Sequence, residues 1–219
     1  MRRVLAACLG LLALCASLPV ARADERPPRF VGVHTKGGKL AVSVGLQDLF
    51  WPTDGERLKS GFASSVLIRV ELFREGGKHP LAQEARSTYI VYDIWDERFR
   101  VRVVDASGAP ELQVESLREA IERATVLLRF RVVDLARLEP GATYRLRFRA
   151  DLNPLSQELM QDVRKWLVRP PSQGRSSTGD SAFGSLVSFF VNPRIEESER
   201  QLSFISQTFV ARPLAEAGP

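Results

Sequence analysis

Apolar and polar residues alternate along several short stretches of the chain, with period two. The clearest is residues 65–73, SVLIRVELF: Val66, Ile68, Val70 and Leu72 fall on one side, Arg69 and Glu71 on the other. That alternation predicts a strand with one covered face. Residues 29–35 (RFVGVHT) and 39–46 (KLAVSVGL) flank Gly37-Gly38, a two-residue turn that accepts positive φ, and so predict a hairpin. Residues 87–94 and 98–104 predict a second hairpin around Trp95-Asp96-Glu97. Two more strands are predicted at 127–133 and 142–151, joined through Glu139-Pro140-Gly141, and a last one at 201–211.

Helical signals are few and short. Residues 54–62 predict a single helical turn stopped by Gly61. Ser116-x-x-Glu119 is a capping box, in which a hydroxyl and a carboxylate each accept from an orphan amide. Leu117, Ala120, Ile121 and Ala124 then follow at helical spacing. Asn153-Pro154 predicts a cap and a first-turn proline, with Leu155, Leu159, Met160, Val163, Trp166 and Leu167 on one helical face. Residues 183–191 predict a short apolar helix or turn. The class predicted is mainly β: an antiparallel sandwich-like or α+β domain with two or three short peripheral helices.

The first 23 residues read as a targeting segment. Met1-Arg2-Arg3 is basic, Val4 to Val20 is apolar, and Ala21-Arg22-Ala23 is an A-x-A site, so cleavage is expected after Ala23. The chain is then periplasmic or secreted. The alternative is an inner-membrane protein anchored by this segment uncleaved. Residues 24–168 are expected to form the β-rich core, 169–182 (RPPSQGRSSTGDSA) a mobile Ser/Gly/Pro-rich loop, 183–211 a short helix and terminal strand docking onto the core, and 212–219 a frayed tail.

Cysteine and charge narrow the chemistry. Cys8 and Cys15 both lie in the targeting segment, so the exported chain has no disulfide and rests on its hydrophobic core. Of 31 basic residues, Arg2, Arg3 and Arg22 leave with the signal, so 28 face 26 acidic ones. That near-neutral balance lacks the footprint of a nucleic-acid binder.

The candidate functional residues are arginines at every second position: Arg98, Arg100 and Arg102; Arg129 and Arg131; Arg145, Arg147 and Arg149. If their strands join one sheet, eight guanidiniums share a face that could grip acidic lipid, polyanionic glycan or an acidic protein. The alternative is the wet side of an antiparallel sheet, with Glu71 and Asp151 pairing off part of the charge. Asp93, Asp96 and Glu97 lack the glycine-spaced loop of a calcium site, and His34 and His79 are poor zinc-site material. There is no G-x-S-x-G or H-E-x-x-H motif. No catalytic residue, metal or cofactor is expected. Phe183, Leu186, Val187, Phe189 and Phe190 could make peripheral membrane contact, but no Lys or Arg accompanies them, and packing is favoured.

One further pattern runs through Ser60-Gly61, Tyr92-Asp93-x-Trp95, Ser116-Leu117…Ala120, Leu138-x-Pro140-Gly141-x-x-Tyr144, Leu152-Asn153-Pro154 and Ser206. Over roughly residues 30–210 the chain resembles a family of exported bacterial β-rich proteins classed only as a domain of unknown function. It departs from that pattern in the 169–182 insert and the arginine rows. The resemblance implies a single extracytoplasmic β-rich domain without a cofactor, and transfers no activity. The expected function is an exported, non-enzymatic, envelope-associated binding or accessory module for a protein partner or an anionic envelope component. The alternatives are anionic lipid or glycan binding through the arginines, and a hydrolase with an unrecognised site.

Overall fold

The computed structural model describes residues 26–154 and 198–211. The targeting segment, the helix expected from Leu155, the 169–182 loop, the 183–191 segment and the 212–219 tail lie outside the described residues.

The fold is mainly β and consists of two unequal sheets with two short helices. The strands are β1 (Arg26–Arg29), β2 (Gly32–Lys36), β3 (Lys39–Gly45), β4 (Ser64–Arg74), β5 (Ala82–Asp93), β6 (Arg98–Val104), β7 (Glu111–Val114), β8 (Val126–Asp134), β9 (Thr143–Pro154), β10 (Ser198–Ser206) and β11 (Phe209–Val210). The helices are α1 (Asp54–Lys59) and α2 (Leu117–Thr125). The large sheet runs β1-β10-β9-β4-β5-β6-β7, with β11 pairing the start of β9; the small sheet is β2-β3-β8. Among these pairs β1 with β10 is parallel and the rest are antiparallel.

Register decides which side of each strand is apolar. Val66, Ile68, Val70 and Leu72 of β4 sit beside Leu152, Ala150, Phe148 and Leu146 of β9. The same side carries Ile90 of β5, Val101 of β6, and Leu202 and Phe204 of β10. Leu40, Val42 and Val44 of β3 and Leu127 and Val133 of β8 pack down on this inner face, with Leu58 of α1 and Ala120 and Ala124 of α2 closing its end. Each such Val, Leu or Phe stabilises the fold by roughly 1.5–3 kcal/mol.

Local signals are mostly realised. Gly37 and Gly38 take φ of 56° and 72°, as a primed two-residue hairpin turn requires. The Ser116 hydroxyl accepts from Glu119 N–H at 3.1 Å. The second half of the capping box does not form, because Glu119 pairs with Arg123 one turn on, at 3.3 Å. The Asn153-Pro154 reading is corrected: both residues belong to the end of β9, and Asn153 takes φ of 47° while its side-chain oxygen accepts from Ser65 N–H at 2.8 Å. The asparagine ties β9 to β4 and caps nothing. β5 begins five residues before the 87–94 prediction, and β1 and β7 were not foreseen.

The residues that carry the family resemblance hold turns together. The buried Tyr144 hydroxyl accepts from Glu139 N–H at 2.8 Å and donates to Glu139 O at 3.4 Å, which folds the Pro140-Gly141 turn onto β9. Ser206 accepts from Leu146 N–H at 3.0 Å. Asp93 accepts from the N–H groups of Trp95 and Asp96. Gly61 supplies a φ of 82° that ends α1. Tyr144→Phe keeps the ring and strands the Glu139 N–H. It should cost about 1–3 kcal/mol, read as a lower denaturant midpoint at an unchanged slope.

Candidate functional site: a charged cleft between the sheets

The two sheets part at one edge and leave a cleft of about 390 Å3, within the usual range of about 300–1,000 Å3 for ligand pockets. One wall is the first half of β5. Its inward-facing series Tyr92, Ile90, Thr88 continues to Arg86 and Glu84, which pair with Ile68 and Val70 of β4. Charged residues thus stand where the register demands apolar ones. The facing wall is β8 from Leu128 to Asp134, the free edge of the small sheet. Lys39 of β3, Asp105 and Ser107 of the β6–β7 turn, and Arg137 after β8 complete the lining.

The walls are locally well determined. β8 shifts register against β3 twice, between Leu40 and Ala41 and between Val42 and Val44. At the second shift Arg129 takes φ of 49° and its N–H donates to Ser43 Oγ at 3.0 Å. Bulges of this kind re-aim side chains and blunt an edge against further pairing. Arg86 Nη1 donates to Val126 O at 2.9 Å, bridging the sheets, while its Nε is buried without a partner. Asp105 accepts from Ser107 N–H at 2.8 Å and from the Ser107 hydroxyl. Arg137 donates to Leu81 O at 3.3 Å, and Lys39 faces Asp134 at 3.5 Å.

Five cations (Lys39, Arg86, Arg129, Arg131, Arg137) and three carboxylates (Glu84, Asp105, Asp134) meet here. Burial raises the Glu84 carboxyl above its ordinary value, and Asp105 adds to the rise against the opposing pull of Lys39. Burial likewise lowers the Arg86 guanidinium, partly offset by Asp105. Charged groups short of water in a concave, net cationic site are suited to holding an anionic group. The Ser107–Asp105 pair is a turn contact, and neither histidine lines the cleft. Among the described residues no group of three or more His, Cys, Asp or Glu could hold a metal ion, and no helix is long and apolar enough to cross a membrane.

The arginine rows do not form one face. Arg98, Arg100 and Arg102 on β6 and Arg145, Arg147 and Arg149 on β9 share the outer side of the large sheet. β4 and β5 separate them by three strand spacings, about 14 Å. Arg129 and Arg131 line the cleft instead, because after α2 the chain crosses to pair with β3. The outer rows are substantially paired with acid. Arg98 meets Glu115 at 3.4 Å, Arg100 Glu111 at 3.1 Å, Arg147 Glu71 at 3.5 Å and Arg149 Asp151 at 3.1 Å. Of the cleft residues, sequence reasoning found only those two arginines. The charges at 84 and 86, on the inward register of β5, were the available signal for the rest.

No curated protein and no solved structure matches the chain. The model of one family, described as a domain of unknown function, DUF4390, matches residues 29–157, from the end of β1 past the end of β9. Both walls of the cleft and the turns that brace it fall inside that match, and the chain belongs to the DUF4390 family.

Proposed function

We propose that this chain is an exported, non-enzymatic binding module of the cell envelope, and that it takes an anionic group of its ligand in the cleft between the sheets. The observation that carries the reading is the convergence of Lys39, Arg86, Arg129, Arg131 and Arg137 around one concavity. The paired outer arginines offer less. An anionic lipid headgroup or a polyanionic glycan has the chemistry to answer that convergence.

The test is flotation of purified 24–219 with acidic and neutral vesicles, and retention on an immobilised polyanionic glycan, each at low and high salt. Binding to the anionic partner should fall steeply with salt. The double reversal R129E/R131E should weaken it at least about tenfold, since it removes two charge-assisted contacts. Reversal on the outer face, R100E/R147E, should leave it intact. No binding to either polyanion at low salt, or equal losses from both double reversals, would refute the cleft assignment.

A further inference from the structure

We propose that residues 155–197 dock along the outer face of the large sheet, which makes that face an internal interface of the chain. The inference is independent of the cleft and rests on burial on the side away from the core. Leu67, Ala85, Tyr89, Val91 and Val104 all stand at outward registers, alongside the arginine rows, whereas Phe73 on the same side is capped by the Arg147 guanidinium at 4.7 Å. None belongs to the core between the sheets, yet none is more than 7% exposed. Asp151 on the same face is fully buried. A leucine, a tyrosine and a carboxylate in the middle of an open sheet face would be wet. The small sheet and both helices pack on the other side, so no described element lies over this one.

The occupant follows from where the chain leaves and returns. Pro154 ends β9, Ser198 begins β10, and the two are register partners. A few residues would join them as a hairpin, yet 43 intervene. That segment opens with Leu155, Leu159, Met160, Val163, Trp166 and Leu167 at helical spacing, an apolar stripe in need of a surface. Thirteen residues of helix reach about 20 Å, enough to cross four strands spaced by about 4.8 Å. Glu158 and Asp162 bring carboxylates to a face bordered by arginines. The other stretches fit less well. Residues 1–23 are expected to leave with the signal, and the tail from residue 212 follows β11, which pairs the opposite end of β9.

Tryptophan fluorescence tests this directly in the full exported chain. The only tryptophans are Trp51, Trp95 and Trp166, and Trp51 and Trp95 are 59% and 89% exposed. W51F/W95F leaves Trp166 as sole reporter. Its emission should be blue-shifted against the denatured chain and resist iodide quenching in a monomer. Adding L159S/V163S, on the apolar stripe of the segment, should shift the emission red, restore quenching and create binding of a hydrophobic dye. V91R should do the same from the sheet side. Free-tryptophan emission and full quenching in the W51F/W95F chain would overturn the proposal. So would protection that appears only at concentrations where the chain sediments as a dimer, since a second copy would then occupy the face.

Discussion

Asp54→Ala should cost about 3–5 kcal/mol of unfolding free energy, the usual range for breaking a buried ion pair from one side. The Asp54 carboxylate is nearly buried at the start of α1 and accepts from Trp51 N–H at 2.7 Å and from Arg200 Nη1 at 2.7 Å, with Arg57 at 3.6 Å. Arg200 also donates to Leu49 O at 2.8 Å and lies over the Trp51 ring at 3.7 Å. One carboxylate thus fastens the helix to the start of β10, 146 residues away in sequence. Without it the guanidinium stays enclosed and uncompensated, which is where most of the loss arises.

The same site has a pH signature. Burial alone would raise the Asp54 carboxyl, but the bonds from Arg200 and Trp51 and the nearby Arg200 and Arg57 charges outweigh it and hold the group below its ordinary value. Its contribution is therefore fully present above the unfolded-state value and fades as pH falls through the folded one. Asp54→Asn should flatten the acid side of a stability–pH profile and leave the slope near neutrality unchanged. An acid limb as steep as that of the parent would assign acid lability to other carboxylates.

The elements legible in the sequence were those whose determinants are local. Gly37-Gly38, the alternation of 65–73 and the Ser116 cap each act through neighbours a few residues away, so a window captures them. β7 was not legible because Glu111, Leu112 and Gln113 are exposed and carry little apolar alternation. The first half of β5 was missed because Gln83, Glu84 and Arg86 break the pattern that marks a strand. They break it because that half of β5 turns its inner side to the cleft, where charge replaces packing. The division into two sheets is non-local as well. Nothing near Leu127 tells it to pair with Val44 of β3 while β9 goes to β4. The arginine rows were visible as residues, and so were two of their acidic partners, Glu71 and Asp151; Glu111 and Glu115, which pair with Arg100 and Arg98, were not, because they lie on and just after the strand β7 that carries little pattern of its own.

Asp151 carries the second large effect. It lies fully buried on the outer face, with Arg69 at 2.7 Å from the adjacent strand and Arg149 at 3.1 Å on its own. The backbones of Arg69 and Arg149 are register partners, so two guanidiniums would stand side by side without the carboxylate between them. Asp151→Ala should therefore cost about 3–5 kcal/mol, because it leaves the nearly buried Arg69 without its counter-charge. Arg69 Nε already lacks a partner, which leaves little slack for a rearranged bond. The triple variant R69L/D151L/R149L should recover much of that loss, since a well-packed apolar patch often equals a buried ion cluster in stability. Chemical denaturation of the single and triple variants distinguishes the two accounts. If the triple variant is as unstable as Asp151→Ala, the lost stability reflects packing at position 151, and the loss of Arg69's counter-charge is not its cause.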